Sequence, residues 1–147
     1  MKPSFPARVF LVEDHPRVRQ QLAALIERDG RFSVCGVAED AKSALSQIVQ
    51  ILPDLVLLDL SLKNSNGFEV LAHLQFLQPD LPVLVLSIHE TAMCAAQSIR
   101  AGARGYLSKQ EAVYQLVDVM QTLLAGQTYP GEGIQAGATT YPSTLAI

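Results

Sequence analysis

Polar side chains that could bind a metal ion or a phosphoryl group stand at the ends of four short apolar runs. Glu13 and Asp14 follow the first run, Asp59 ends the third, Ser87 ends the fourth and Lys109 follows the fifth. The carboxyl ends of parallel strands meet at one edge of a sheet, which is where ligands collect in open α/β sheets. We therefore expect these five side chains to lie together.

Three carboxylates at one edge predict a cation site. They would repel one another, and burial would raise their pKa values. A hard divalent cation removes the conflict, and Mg²⁺ prefers a few carboxylates together with water and phosphate oxygens. Lys109 and Ser87 suit phosphoryl oxygens as a positive charge and a hydroxyl donor, and a carboxylate can act as a nucleophile. The set predicts Mg²⁺-dependent phosphoryl chemistry with Asp59 as the nucleophile.

The elements that must position these residues alternate regularly. Leu55 to Leu58 is a continuous apolar run, which is typical of a strand buried on both faces. Between the apolar runs, hydrophobic residues recur at helical spacing, and capping signals stand at Asp40, Asn66 and Ser108. The pattern predicts five strand–helix units, hence a doubly wound α/β fold with a parallel sheet. For the last helix we expect the inward face to carry Val113, Leu116, Val117 and Met120.

Composition restricts the class of protein. The 147 residues favour one domain, and the net charge of −3 argues against a basic nucleic-acid surface. Cys35 and Cys94 are far apart, so reduced thiols are expected, and Cys94 and Met93 are interpreted as helix-packing residues. A charged or proline residue interrupts every long apolar run, and no secretory signal is visible, which predicts a cytoplasmic protein without a membrane partner. Residues 127–147 are rich in glycine, proline and threonine and predict a flexible tail.

The motifs resemble those of the receiver domain of two-component response regulators, over residues 7–126. They are Val-Glu-Asp-His-Pro at 12–16, Leu-Leu-Asp-Leu-Ser-Leu at 57–62, Gly67 eight residues after Asp59, Leu-Ser at 86–87 and Gly-Tyr-Leu-Ser-Lys at 105–109. The stretch from Ala101 to Lys109 resembles the LuxR-type subfamily in particular, whose members usually add a helix-turn-helix domain. The resemblance implies a flavodoxin-like five-stranded sheet in the order 2-1-3-4-5 with five helices.

The resemblance also implies roles for individual residues. Asp59 would be the phosphoacceptor, and the metal ligands would be Glu13, Asp14, Asp59 and the Ser61 carbonyl. Ser87 would supply the switch hydroxyl and Tyr106 the switch aromatic ring. Lys109 would pair with the phosphoryl group. A sensor histidine kinase or phosphotransfer protein is the implied donor. A homodimer or a downstream protein would contact the Ser87/Tyr106 face. Two loop positions depart from the family pattern, where Lys63 and Gln110 replace common prolines.

The sequence leaves two alternatives to a phosphorylation switch. One is a small Mg²⁺-dependent phosphatase with an aspartyl-phosphate intermediate, but such enzymes commonly carry a second Asp where Ser61 stands. The other is a degenerate receiver that is never phosphorylated, against which the complete set of polar strand ends argues. The switch interpretation implies no enzyme beyond the domain's own phosphotransfer and dephosphorylation. No direct DNA binding is expected, because residues 127–147 contain neither lysine nor arginine.

Overall fold

The computed structural model describes residues 6–62, 65–88 and 92–130. Five strands and five helices alternate along the chain, as the sequence predicted. Their bounds are β1 Ala7–Val12, α1 Pro16–Arg28, β2 Phe32–Ala38, α2 Ala41–Ile51, β3 Leu55–Asp59, α3 Gly67–Leu77, β4 Val83–Ser87, α4 Ala92–Arg100, β5 Gly105–Ser108 and α5 Lys109–Leu124. Among the described residues, no helix combines the length and the apolar character needed to cross a membrane.

The strands form one parallel sheet in the order β2-β1-β3-β4-β5, which confirms the predicted fold class and strand order. β3 lies at the centre and all five of its residues are buried. Two apolar layers cover the sheet. One joins it to α2, α3 and α4, and the other joins it to α1 and α5. Helices on both faces explain why β3 and β4 read as continuous apolar runs instead of alternating ones.

Local capping chemistry fixes where the helices begin. Asp40 accepts a hydrogen bond from the Ser43 backbone N–H at the start of α2. Asn66 accepts one from Phe68 at the start of α3. Ser108 and Glu111 form a reciprocal capping box at the start of α5, as predicted. The cap at Ser108 directly precedes Lys109, so it also determines where that residue of the candidate site is placed.

The predicted tail falls into two parts. Residues 127–130 are described, and Tyr129 forms a parallel bridge with Gly105 of β5. Residues 131–147 lie outside the described part of the chain, so the flexible tail stays a prediction for them. Lys63, the first departure from the family pattern, also lies outside the described residues. Gln110, the second, lies in the first turn of α5 and is exposed.

Candidate functional site

Register brings the predicted residues to one edge of the sheet. Val12 of β1 pairs with Leu58 of β3, so Glu13 follows its strand at the same level as Asp59. Asp59 pairs with Leu86, and the next residue, Ser87, pairs with Ser108. Glu13, Asp14, Asp59, Ser87 and Lys109 therefore occupy neighbouring positions at the carboxyl ends of β1, β3, β4 and β5. The sequence predicted this convergence from the parallel alternation.

Glu13, Asp14 and Asp59 form a cluster of carboxylates. One oxygen from each lies within 4.8 Å of the others. Glu13 and Asp59 are buried, whereas Asp14 is partly exposed. Oxygen donors at this spacing match the ligand set of a small divalent cation. The side chains present fit Mg²⁺.

Lys109 neutralises part of this charge. Its Nζ lies 3.0 Å from Glu13 Oε1 and 3.4 Å from Asp59 Oδ2, so one ammonium forms ion pairs with two carboxylates. Glu13 Oε1 is fully buried and accepts no well-directed hydrogen bond among the described residues. Its contact with Lys109 is an ion pair, which leaves lone-pair capacity inside the site. The other oxygen, Oε2, accepts a hydrogen bond from the His15 backbone N–H at 3.2 Å.

The electrostatics of the cluster appear most clearly at Glu13. Burial raises the pKa of this carboxyl above its ordinary value of 4.5, the contact with Lys109 opposes the rise, and the negative charge of Asp59 adds to it. The net direction is upward. Burial of the charged form is the largest cause of this rise, so a further positive charge beside Glu13 would stabilise its carboxylate.

The loop after β3 is shaped closely around Asp59. The Ser61 backbone N–H donates to Asp59 Oδ1 at 3.0 Å, which orients the carboxylate. Gly67 begins α3 against the same turn. A Cβ at that position would lie 2.8 Å from Leu60 Cα and 2.9 Å from the Asp59 carbonyl oxygen. The glycine eight residues after Asp59 is thus required by close backbone approach, and the role of the Ser61 carbonyl as a metal ligand stays a prediction.

Ser87 ends β4 and Tyr106 lies on the neighbouring β5, on the face of the sheet that α4 covers. Ser87 is 1% exposed and Tyr106 is 3% exposed. Burial raises the pKa of Tyr106 to about 12, and hydrogen bonds link its phenol to Ser87 and to Cys94. The Tyr106 ring therefore lies inward, in contact with the residue that ends β4. Cys94 was interpreted only as a packing residue; a thiol beside a tyrosine on another element has no signature in the sequence.

A second residue that sequence reasoning missed supports the acidic end of β1. Arg19 of α1 donates from Nη1 to the Glu13 carbonyl at 2.9 Å and pairs with Glu39 at 3.4 Å. These contacts tie the first turns of α1 to the loop that carries Glu13. Charged residues on a helix occur commonly at such spacing, so nothing in the sequence distinguished Arg19 from a solvated arginine.

Known proteins resemble this chain in sequence. The family model of the response regulator receiver domain matches residues 9–121. A Pseudomonas aeruginosa protein named as a transcriptional regulator is 38% identical over 120 residues, which cover 82% of this chain and 58% of that protein. The virulence-factor transcription regulator BvgA of Bordetella pertussis is 32% identical over 122 residues, with 83% and 58% covered. The chain thus spans less than two thirds of these relatives.

Solved structures agree with the sequence comparison. A two-component response regulator of the LuxR family from Aurantimonas superposes with a TM-score of 0.80 at 34% identity, covering 83% of this chain and 87% of that one. The signal receiver domain of NarL from Mycobacterium tuberculosis gives 0.75 at 28% identity, with 86% and 100% covered. These matches leave the phosphatase alternative without support. The chain belongs to the response regulator receiver domain family and is homologous to transcriptional regulators of two-component systems.

Proposed function

We propose that this domain accepts a phosphoryl group on Asp59 and signals by changing its Ser87/Tyr106 face. The observation that carries the proposal is the position of Asp59. It ends the central strand, and its carboxylate lies 3.4 Å from the Lys109 ammonium. One of its oxygens lies within 4.8 Å of oxygens of Glu13 and Asp14, close enough for the three to share a cation. A carboxylate held in this way can attack a phosphorus atom while the neighbouring positive charge faces the phosphoryl oxygens.

The donor is proposed to be a phosphohistidine of a sensor histidine kinase or phosphotransfer protein. An Asp59 oxygen forms the new P–O bond while the P–N bond to the donor imidazole breaks, and the imidazole takes a proton from solvent. Glu13, Asp14, Asp59 and the Ser61 carbonyl would hold Mg²⁺, which neutralises charge on the acceptor and phosphoryl oxygens when bound. The Ser61 backbone N–H orients the attacking carboxylate. Lys109 can keep its contact with Asp59 through the transfer.

The structural response is proposed to involve Ser87 and Tyr106. A phosphoryl group on Asp59 offers acceptor oxygens to the Ser87 hydroxyl, which otherwise bonds the Tyr106 phenol. The Tyr106 ring already lies inward, so phosphorylation would increase the population of one packing state that exists beforehand. The face formed by α4, β5 and α5 would then favour a second copy of the chain or a downstream protein.

The wider roles follow as proposals from the same site. The domain would turn over only its own phosphoryl group and would work in the cytoplasm beside its kinase. We propose residues 7–126 as the receiver unit, followed by a tail over 127–147 that contributes no DNA-reading element. With a net charge of −3 and a tail without lysine or arginine, this chain alone would not bind DNA specifically.

Intact-mass measurement after incubation with acetyl phosphate and Mg²⁺ tests the proposal. We expect the wild-type chain to gain one phosphoryl group, and Asp59→Asn to gain none. Asp80→Asn, the same substitution at an exposed position between α3 and β4, should label as the wild type does. Excess chelator should suppress labelling of both competent chains. Full labelling of Asp59→Asn, or undiminished labelling in chelator, would refute the proposal.

A further inference from the structure

The segment after α5 adds to the outer edge of β5. The Tyr129 backbone N–H donates to the Arg104 carbonyl at 2.9 Å, and the Tyr106 N–H donates to the Tyr129 carbonyl at 3.0 Å. Tyr129 thereby forms a parallel bridge with Gly105. β5 is the last strand of the sheet, so Tyr129 occupies the place that a residue of a sixth strand would take. The bridge satisfies backbone groups that an edge strand otherwise presents to solvent.

Side-chain contacts anchor Tyr129 in this place. Its ring packs against the apolar layer between the sheet and α5. Its hydroxyl donates to Gln115 Oε1 of α5 at 2.9 Å. Before it, the Gln127 N–H donates to the Thr122 carbonyl at 3.2 Å and keeps the chain close to the end of α5. Backbone, apolar and polar contacts thus act together on one residue.

The residue that Tyr129 holds is Tyr106. The backbone N–H of Tyr106 donates a hydrogen bond to the Tyr129 carbonyl, while its buried phenol is hydrogen-bonded to Ser87 beside the candidate phosphorylation site. Two residues further along β5, the Ser108 N–H is bonded to the Glu111 carboxylate at 3.2 Å. Successive donors on this edge are therefore satisfied within the chain, which leaves Tyr106 linked both to the site and to the segment that follows α5.

We propose that Tyr129 is a positioning residue that couples the packing state of Tyr106 to the segment 127–130 that follows α5. Equilibrium coupling is reciprocal. A change that releases the inward Tyr106 ring weakens the Tyr129 bridge, and a change that breaks the bridge loosens Tyr106. The proposal rests on the proposed function only where it treats Tyr106 as the switch. The coupling itself is a property of the chain before any phosphorylation.

Fluorine NMR and amide exchange on the full-length chain test the coupling directly. The sequence has four tyrosines, so uniform 3-fluorotyrosine labelling gives few resonances, each assignable from a Tyr→Phe variant. In Tyr129→Ala we expect exchange of the Tyr106 amide to accelerate by about tenfold or more, because its acceptor is released, and the Tyr106 ring resonance to shift. Tyr114→Ala is the matched control, since Tyr114 lies on α5 and is 86% exposed. It should change neither readout.

A second variant guards against general unfolding. Tyr129→Phe removes only the hydrogen bond to Gln115 and should accelerate Tyr106 amide exchange more weakly, by roughly threefold. Unchanged Tyr106 exchange and ring resonance in Tyr129→Ala would overturn the proposal, as would equal effects from Tyr114→Ala. Neither measurement uses a phosphoryl donor. If Asp59 failed to label while Tyr129→Ala still loosened Tyr106, the proposed function would fail and the coupling would stand.

Discussion

Replacing Glu13 by glutamine should stabilise the metal-free protein at neutral and mildly basic pH. The side chain is fully buried, and burial together with the nearby Asp59 charge raises its pKa in spite of Lys109. A carboxyl whose pKa is raised by folding binds more protons in the folded chain than in the unfolded one. The free energy of unfolding must therefore fall as pH rises above 4.5 through the folded pKa. A neutral amide of the same shape removes that loss.

Distances in the site give the size of the effect. At an effective dielectric constant of about 20, two like charges no more than 4.8 Å apart repel by at least about 3.5 kcal/mol. Glu13 has two such neighbours, Asp14 and Asp59. At the same dielectric constant, the attraction between Glu13 and the Lys109 ammonium 3.0 Å away is about 5.5 kcal/mol. The balance is a repulsion of at least about 1.5 kcal/mol, and the burial of the charge adds to it, so Glu13→Gln should gain about 1–3 kcal/mol.

Thermal unfolding in chelator measures this gain. For a chain of this length, 1–3 kcal/mol raises the Tm by roughly 3–10 °C at pH 8, and the gain should shrink as the pH approaches 4.5. Glu39→Gln is the matched control, because Glu39 is exposed and pairs only with Arg19 among the described residues. Its change should stay within about 0.5 kcal/mol. Added Mg²⁺ should stabilise the wild type more than Glu13→Gln. A lower Tm for Glu13→Gln at pH 8 in chelator would refute the electrostatic reasoning.

Three further substitutions test other parts of the structure. Gly67→Ala would place a Cβ 2.8 Å from the backbone after β3. It should lower the free energy of unfolding, measured with denaturant, by about 1–3 kcal/mol. Gly30→Ala, with open space around it, should leave that free energy unchanged or raise it slightly. Ser108→Ala removes the capping box of α5 and should cost about 0.5–2 kcal/mol by the same assay. Tyr106→Phe should reduce the phenol absorbance change with a midpoint near pH 12, whereas Tyr114→Phe should retain it. Since burial disfavours the Tyr106 phenolate, the free energy of unfolding should fall less steeply above pH 10 in Tyr106→Phe than in the wild type.

The strands and the starts of the helices could be predicted because their signals are local. The continuous apolar run from Leu55 to Leu58 lies entirely within β3, Leu55–Asp59. The caps at Asp40 and Ser108 also begin the helices that they were expected to begin. An apolar run between turn residues, or an acceptor side chain before a helical stripe, determines such features without reference to the rest of the fold.

The buried face of α5 shows where local signals stop. Val113 was predicted to face inward, yet it is 58% exposed, while Val119 and Leu123 are buried instead. Leu116 and Met120 are buried as predicted, and Val117 packs against the core, so only one edge of the inward face differs from the prediction. Contact of α5 with β4, β5 and α1 turns the small Ala112 inward in place of Val113. Met93 was likewise expected to pack, but it is 69% exposed, because α4 contacts the sheet through Ala95 and Ser98.

At the candidate site, the sequence determined which residues meet but not how their charges balance. Convergence follows from parallel strands, since each strand ends at the same edge whatever its side chains are. The balance depends on the Lys109 stem, whose rotatable bonds let one ammonium reach both Glu13 and Asp59. Two buried carboxylates, Glu13 and Asp59, therefore share a single ammonium, and the site carries more negative than positive charge. A purely structural role would favour a neutral residue at Glu13, so a carboxylate there is best explained by a ligand that supplies the missing positive charge.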